Sequence, residues 1–376
     1  MRRTFLVVTA AAMVMVIAGC SAGGGDTSAV STTTGGADAV GVAEATAAFQ
    51  KSLEPLTPPT DATPVTPPQG GKTIGVLSCG QTAPACALMA DQAKKAVELL
   101  GWTPVVVDGK LNPQDWSNGD LQLINQKVDG IINIVAADAT VPAALEKAKA
   151  ANIPVVCMIC ANPAQAPVPN PSVANVDADY ALQGKLVADY IIMNSKGAGK
   201  VAIMENQTAP PVVLRHDALK QELKTCSGCS VVFAEQLGQS GDIIASARTM
   251  ATSILQRLPK GEVGYLVPPS DSQVSGVDQA LSATGRSEVQ ITSFDCNAEN
   301  LALIRKGQSE TLCVVTPLSW AGWAAVDQMV RVLAGQPGQN VQLQVQSITK
   351  DNAPAEGTEP GTFDFAGFYG KLWGKF

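Results

Sequence analysis

The side chains able to do chemistry are unevenly stocked in this chain of 376 residues, which has one histidine, His216, against nine cysteines. A single imidazole argues against a multi-histidine metal centre and against a Ser-His-Asp relay. There is no Gly-x-Ser-x-Gly elbow and no phosphate-binding glycine loop. With Cys20 set aside, eight cysteines remain, an even number for which disulfides are the default outside the cytoplasm. Cys226 and Cys229 share a Thr-Cys-Ser-Gly-Cys turn and can meet. Cys79 and Cys86 bracket a loop. Cys296 and Cys313 each stand at or near the end of a short apolar run and could bridge neighbouring elements. Cys157 and Cys160 are harder to join. In a continuing strand they would lie about 10 Å apart on opposite faces, beyond bonding reach, so they pair only if the strand has ended by Met158. The rival reading of the two CxxC pairs is a zinc site.

A second population consists of polar residues placed just after short apolar runs. Asp295 ends the run 291–294 and would accept hydroxyl hydrogen bonds, or cap the next helix. Ser270 and Asp271 follow 264–267; Asp271 is equally suited to capping, which leaves Ser270 the better ligand contact. Asn206 and Gln207 follow 201–204, Asp138 follows 130–135, Gln81 follows the first run and Asn162 follows 153–156. The guanidinium fork of Arg215 can hold two oxygens at once. Trp320 offers a stacking face, although a tryptophan at helical spacing is equally a core residue. A few convergent donors and acceptors on apolar walls are what a small polar ligand needs. No cofactor or metal is implied.

The elements that must position these residues alternate regularly. Strand-like runs at 72–78, 104–107, 130–135 and 153–156 are separated by helical patterns at 91–100, 121–126 and 141–151. A second series has strands at 200–204, 230–233, 264–267 and 289–294 and helices at 180–193, 214–223, 243–258 and 274–283. This is the βαβ rhythm of an open parallel sheet, met twice. The expected class is α/β, with two doubly wound, Rossmann-like lobes. Ligand sites in such sheets lie beyond the carboxyl ends of the strands, so two lobes facing each other there would make a cleft.

The amino terminus reads as an address. Arg2 and Arg3 precede an apolar run over 5–17 that is too short to span a bilayer, and Ile17-Ala18-Gly19-Cys20 resembles a bacterial lipobox. Residues 1–19 are then a lipoprotein signal peptide and Cys20 the lipidated first residue. Residues 20–71, rich in Ser, Thr, Gly and Pro, read as a disordered tether with a short helix over 42–53. The protein is expected outside the cytoplasm, held to the membrane by lipid alone. A net charge of −7 with no basic stripe argues against a nucleic-acid partner.

The segments Asp108-Gly-Lys-Leu-Asn-Pro-Gln114, Lys127-Val-Asp-Gly-Ile-Ile132, Ala137-Asp138, Lys149-Ala-Ala-Asn-Ile-Pro-Val-Val156, Ser270-Asp271 with Gly276, and Phe294-Asp295 follow one another in a telling order. In that order they resemble the type I periplasmic solute-binding proteins of ABC importers, nearest those for ribose, galactose and similar sugars. The resemblance covers residues 72 to about 350. It implies an N-terminal lobe of 72–175 plus 316–345 and a C-terminal lobe of 176–315 plus 346–376, the latter carrying an aromatic tail. Three hinge crossings near 175–177, 314–316 and 345–347 would join them, and ligand would be held between by hinge closure. It also implies an ABC permease and ATPase as partners, a monomeric receptor and no enzymatic turnover. Arg215 matches the family arginine that reaches the ligand. Repressors sharing this fold core carry a DNA-binding helix-turn-helix where this chain has a lipobox and tether. Two departures stand out. The loop after the first strand has no aromatic residue, and Met158-Ile159-Cys160-Ala161-Asn162 replaces the usual charged pair. The resemblance implies a sugar or sugar-like ligand, whereas these departures lean toward a less polar one, such as an aromatic or alicyclic acid, as the alternative. A sensor subunit of a signalling system is a second role for the same lobes. An enzyme built on Asp271 and Asp295 is disfavoured.

Overall fold

The structure, a computed structural model, describes residues 36–161, 172–238 and 242–376. The chain divides into two units, Met1–Gly36 and Ala37–Phe376, and every strand among the described residues lies in the second. The signal peptide, Cys20 and Asn162 lie outside the described residues. No helix among the described residues is long and apolar enough to cross a membrane.

The order is α1 (Gly36–Ser52), β1 (Thr73–Ser78), α2 (Pro84–Leu99), β2 (Thr103–Asp108), α3 (Pro113–Asn125), β3 (Gly130–Ile134), α4 (Pro142–Ala150), β4 (Val155–Met158) and β5 (Ala174–Ala178). It continues through α5 (Tyr180–Asn194), β6 (Lys200–Glu205), α6 (Pro210–Leu223), β7 (Ser230–Gln236), α7 (Ile243–Arg257), β8 (Tyr265–Val267), α8 (Val274–Thr284) and β9 (Gln290–Asp295). Last come α9 (Ala298–Lys306), β10 (Glu310–Val315), α10 (Leu318–Leu333), β11 (Val341–Leu343), β12 (Ser347–Ile348) and α11 (Phe365–Leu372).

Two six-stranded sheets result, ordered β11-β5-β4-β3-β1-β2 and β12-β10-β9-β8-β6-β7. Every pairing is parallel except β10 with β12. The central strands are apolar runs buried on both faces, as in β3, Gly-Ile-Ile-Asn-Ile; that is the pattern of strands covered by helices on both sides. In each sheet the strand order reverses between the first and third strands of its series. The crevice at such a switch point lies beyond the carboxyl edge.

The chain passes from the first body to the second between Ala178 and Tyr180, returns between Val315 and Leu318, and passes again between Leu343 and Ser347. The first two passages leave from the carboxyl ends of β5 and β10, so these edges of the two sheets meet at the crossings. The expected lobe boundary at 175/176 falls inside β5, because Asn175 pairs with Cys157 and Ala178 with Leu343.

Two further expectations are corrected. The stretch 36–71 is not a free tether: α1 buries Ala45 and Phe49 against α5, and Val65 is buried in the first body's core. Burying one such phenylalanine contributes roughly 2–3 kcal/mol, which composition alone does not reveal. The stretch 346–376 is not all of the second body. β12 pairs with β10, but Phe365, Tyr369 and Trp373 are buried with Trp320 and Trp323 of α10, in the first. Tyr369 and Trp373 stack near Trp323, with centroids 6.1 and 6.2 Å away.

Candidate functional site

At the carboxyl edge of the second sheet the chain assembles a polar cluster around Arg215. Pro210 and Pro211 open α6 at positions that need no backbone N–H. Arg215 therefore lies well inside the helix, which begins four residues before the 214–223 that the sequence pattern gives. Gly184 on α5 allows the two helices to touch, since a Cβ there would sit 1.9 Å from the Arg215 carbonyl oxygen. The Arg215 side chain, 4% exposed, is thereby turned into the protein. Its Nε donates to Gln183 Oε1 at 2.7 Å, and its Nη2 donates to Asp295 Oδ1 at 2.7 Å and to Thr316 Oγ1 at 2.8 Å. The guanidinium lies between two rings, 4.8 Å from the centroid of Phe294 and 5.4 Å from that of Tyr180, where each ring face attracts the cation.

Thr316 holds the cluster together. Its hydroxyl donates to Asp295 Oδ1 at 2.6 Å and accepts from Arg215 Nη2 and from Gln183 Nε2. One donor and two acceptor sites are the whole capacity of a hydroxyl. Asp295 ends β9 with φ +92°, and Cys296 follows at +62°. Two consecutive left-handed residues are unfavourable for non-glycine side chains. The Cys296–Cys313 bond and the Asn297 amide, which donates to Asp271 Oδ2 at 2.6 Å, hold the turn. Neither Arg215 Nη1 nor Asp295 Oδ2 takes a partner among the described residues. A donor and an acceptor are thus left together on a pair whose charges already cancel.

Asp177, at the first crossing, accepts from the Ala161 amide at 2.9 Å and the Tyr180 hydroxyl at 3.2 Å. Burial raises its carboxyl to about 6, against the opposing pull of these hydrogen bonds.

The structure brings Arg215 and Asp295 into direct contact, and the other expected residues make local contacts of their own. Ser270 follows β8 but forms a capping box with Gln273, its hydroxyl donating to Gln273 Oε1 at 2.8 Å. Asp271, expected as a cap, is buried and accepts from the Ser293 hydroxyl. Burial raises its carboxyl well above the usual range, and the charges of Glu310 and Asp295 add to this. Asn206 closes a turn by accepting from Thr208 Oγ1 at 2.7 Å. Gln207 donates to Glu205 Oε2 at 3.2 Å. His216 is buried beneath it, its Nδ1 3.2 Å from the same oxygen.

On the first sheet's carboxyl edge, exposed Gln81 follows β1 and donates its backbone N–H to Asp108 Oδ1 at 2.9 Å. Asp138, after β3, accepts from Ser172 Oγ at 2.6 Å and so ties two loops. Trp320 is corrected: it is buried in the first body's core, its indole N–H donating to Tyr369 Oη at 2.9 Å. Gln183, Tyr180 and Thr316 were not read as site residues.

All four expected cysteine pairs are bonded, with Cα atoms 5.3–5.9 Å apart. Cys157 and Cys160 meet because β4 ends at Met158 and Ile159 turns back at φ +56°. The zinc reading falls with these bonds, and no group of His, Cys, Asp and Glu among the described residues is arranged to hold a metal. Two surface depressions of about 590 and 420 Å³ lie on the second body, and neither includes Arg215 or Asp295.

Residues 74–337 match the periplasmic binding protein domain family. The ribose import binding protein of Escherichia coli is 24% identical over 268 residues, which cover 70% of this chain and 86% of that protein. An ABC transporter solute binding protein from Agrobacterium vitis, solved with bound allitol, superposes with a TM-score of 0.67 at 22% identity, covering 75% of this chain and 97% of its own. A solute binding protein from Mycobacterium smegmatis, solved with bound glycerol, gives 0.66 at 20% identity, covering 77% and 99%.

Proposed function

The chain belongs to the periplasmic binding protein domain family, a family of binding proteins and not of enzymes, and from that membership we propose that it captures a neutral, polyhydroxylated solute for an ABC importer. The single observation that carries the chemistry is the 2.7 Å Arg215–Asp295 pair with its open Nη1 and Oδ2. A hydroxyl is both donor and acceptor and can serve both atoms. A carboxylate ligand would set a second negative charge beside Asp295, on an arginine already neutralised, so the pair favours a sugar or polyol over an acid. The sugar and polyol ligands named for the relatives point the same way.

Capture proceeds by closure of the two bodies on the ligand. Contacts to both carboxyl edges bind the closed form better, and that difference shifts the population. The receptor then docks on its permease and ATPase from outside the membrane, held there by lipid on Cys20. A membrane-bound receptor that becomes soluble as Cys20→Ser supports the anchor; an unchanged distribution removes it.

The test of the ligand is thermal stability of the chain with D-ribose, allitol, myo-inositol and glycerol, beside benzoate and cyclohexanecarboxylate. A polyol that binds raises stability by RT ln(1 + [L]/Kd). Stabilisation by the acids alone, or chemical conversion of a sugar, would overturn the proposal.

A further inference from the structure

The amino-terminal stretch crosses between the bodies beside the third crossing, and its contacts divide cleanly. Up to Leu53 it belongs to the second body: Ala45 and Phe49 are in that core, Phe49 packs on Tyr190 with centroids 5.2 Å apart, and Val42 and Leu53 lie against the same cluster. From Leu56 it belongs to the first: Leu56 and Val65 pack in that core, Arg331 Nη2 donates to the Thr63 carbonyl at 2.6 Å, and the Val65 amide donates to the Leu372 carbonyl at 2.9 Å. At the change of side it grips the third crossing itself. Ser52 Oγ donates to Ser347 Oγ at 2.7 Å, and the Leu53 carbonyl accepts from Gln346 Nε2 at 3.2 Å and from Asn352 Nδ2 at 3.1 Å.

We propose that residues 42–65 are a clasp that limits movement of one body against the other. Two residues, Glu54 and Pro55, separate Leu53 from Leu56, so three Cα steps span at most about 11 Å when fully extended, and Pro55 has its φ fixed. A bend at the crossings that draws the two anchors apart must strip Phe49 or Leu56 from its core, or break the grip on Gln346 and Ser347. Solute capture by closure is therefore bounded by this tie wherever it draws the two anchors apart.

The inference rests on the closure proposed above, but its readout uses no ligand, so the clasp and the ligand assignment can fail separately. Six Gly/Ser residues inserted between Glu54 and Pro55 of the full chain leave both anchors intact and slacken the tie. Hydrogen exchange should then quicken at least fivefold at the crossings, at residues 343–347 and at Val315, whose amide donates to the Gln346 carbonyl at 2.8 Å. The amides of β3 and β9 should keep their rates. Unchanged exchange at the crossings of the lengthened chain would overturn the clasp. Phe49→Ala is the second variant and loosens the anchor in the second body: faster exchange at the crossings supports the clasp, whereas faster exchange in α1 with unchanged rates at the crossings overturns it.

Discussion

Arg215 and Asp295 stand 80 residues apart in sequence and meet through a 2.7 Å hydrogen bond in which the aspartate is 23% exposed and the arginine 4%. Removing one partner of a buried pair strands the other charge. Asp295→Ala should therefore destabilise the fold by about 3 kcal/mol or more, measured by urea denaturation, and Arg215→Met added to it should restore part of the loss. A double variant whose loss equals the sum of the two single losses would mean that the pair is not coupled. For binding, Arg215→Ala should weaken a captured polyol at least tenfold; unchanged affinity would remove Arg215 from the site.

Thr316→Val keeps the shape of the side chain and deletes its hydroxyl. Gln183 Nε2 keeps its bond to the Val315 carbonyl at 3.0 Å, but Arg215 Nη2 and Asp295 Oδ1 each lose one partner. A loss of about 1–3 kcal/mol is expected, together with weaker polyol binding. Thr316→Ser should restore both quantities. Failure of serine to do so would show that the methyl group, not the hydroxyl, matters.

Gly184→Ala tests the helix contact that aims Arg215. The new methyl meets backbone on α6, at 1.9 Å from an oxygen and 2.7 Å from its carbon, and backbone cannot swing aside as a side chain can. α5 and α6 must separate, at a cost of about 1–3 kcal/mol or more. Because Gln183 rides on α5 and Arg215 on α6, affinity should fall with stability. A variant as stable as the parent would show that the helices have room to part.

Much of this was legible in the sequence. The buried strands announced themselves as short apolar runs, and the residues after them, Asp295 among others, fell at the edge where the site forms. Gln183 and Tyr180 were not legible as site residues because α5 is buried on nearly every side, so no polar face marks which of its residues turn toward Arg215. Trp320 illustrates the converse: helical spacing places a tryptophan on a face without saying whether that face meets ligand or core. The stretch 53–71 was misread for a different reason. Its Thr- and Pro-rich composition cannot fold alone, and Leu56 and Val65 are ordered only by cores built from residues far along the chain.

The four disulfides should not contribute equally. Cys296 and Cys313 are 17 residues apart, whereas Cys226 and Cys229 are separated by three. The loop-entropy relation gives about 3 kcal/mol for the first closure and about 2 for the second. Replacing the first pair by alanines should also free the turn that carries Asp295, weakening polyol binding. Replacing the second, which lies at the opposite edge of the sheet before β7, should leave affinity alone. Equal affinity in both variants would show that Asp271 and the strand ends hold Asp295 without help.

Stability should fall as pH rises through the range from about 4.5 to 7. Burial raises the carboxyls of Asp120 and Glu310 to about 7 and those of Asp177 and Asp189 to about 6, whereas their unfolded counterparts titrate near 4. Between those values the folded chain binds more protons than the unfolded one, so each added pH unit favours unfolding. Glu205, lowered chiefly by its bond to His216 and helped by Lys220, acts in the opposite sense, and only at more acid pH. Asp120 is a clear probe. It accepts from Asn133 Nδ2 at 3.1 Å, while its own Oδ1 and the Asn133 Oδ1 are both buried without partners. A protonated Asp120 is the form that could supply a hydrogen between those two oxygens. Thermal midpoints should be higher at pH 5 than at pH 7.5, and Asp120→Asn, which cannot ionise, should flatten the slope. A midpoint that climbs steadily from pH 5 to 7.5 would show that these carboxyls are ionised in the folded chain, with water or rearrangement supplying the partners that Asp120 and Asn133 lack.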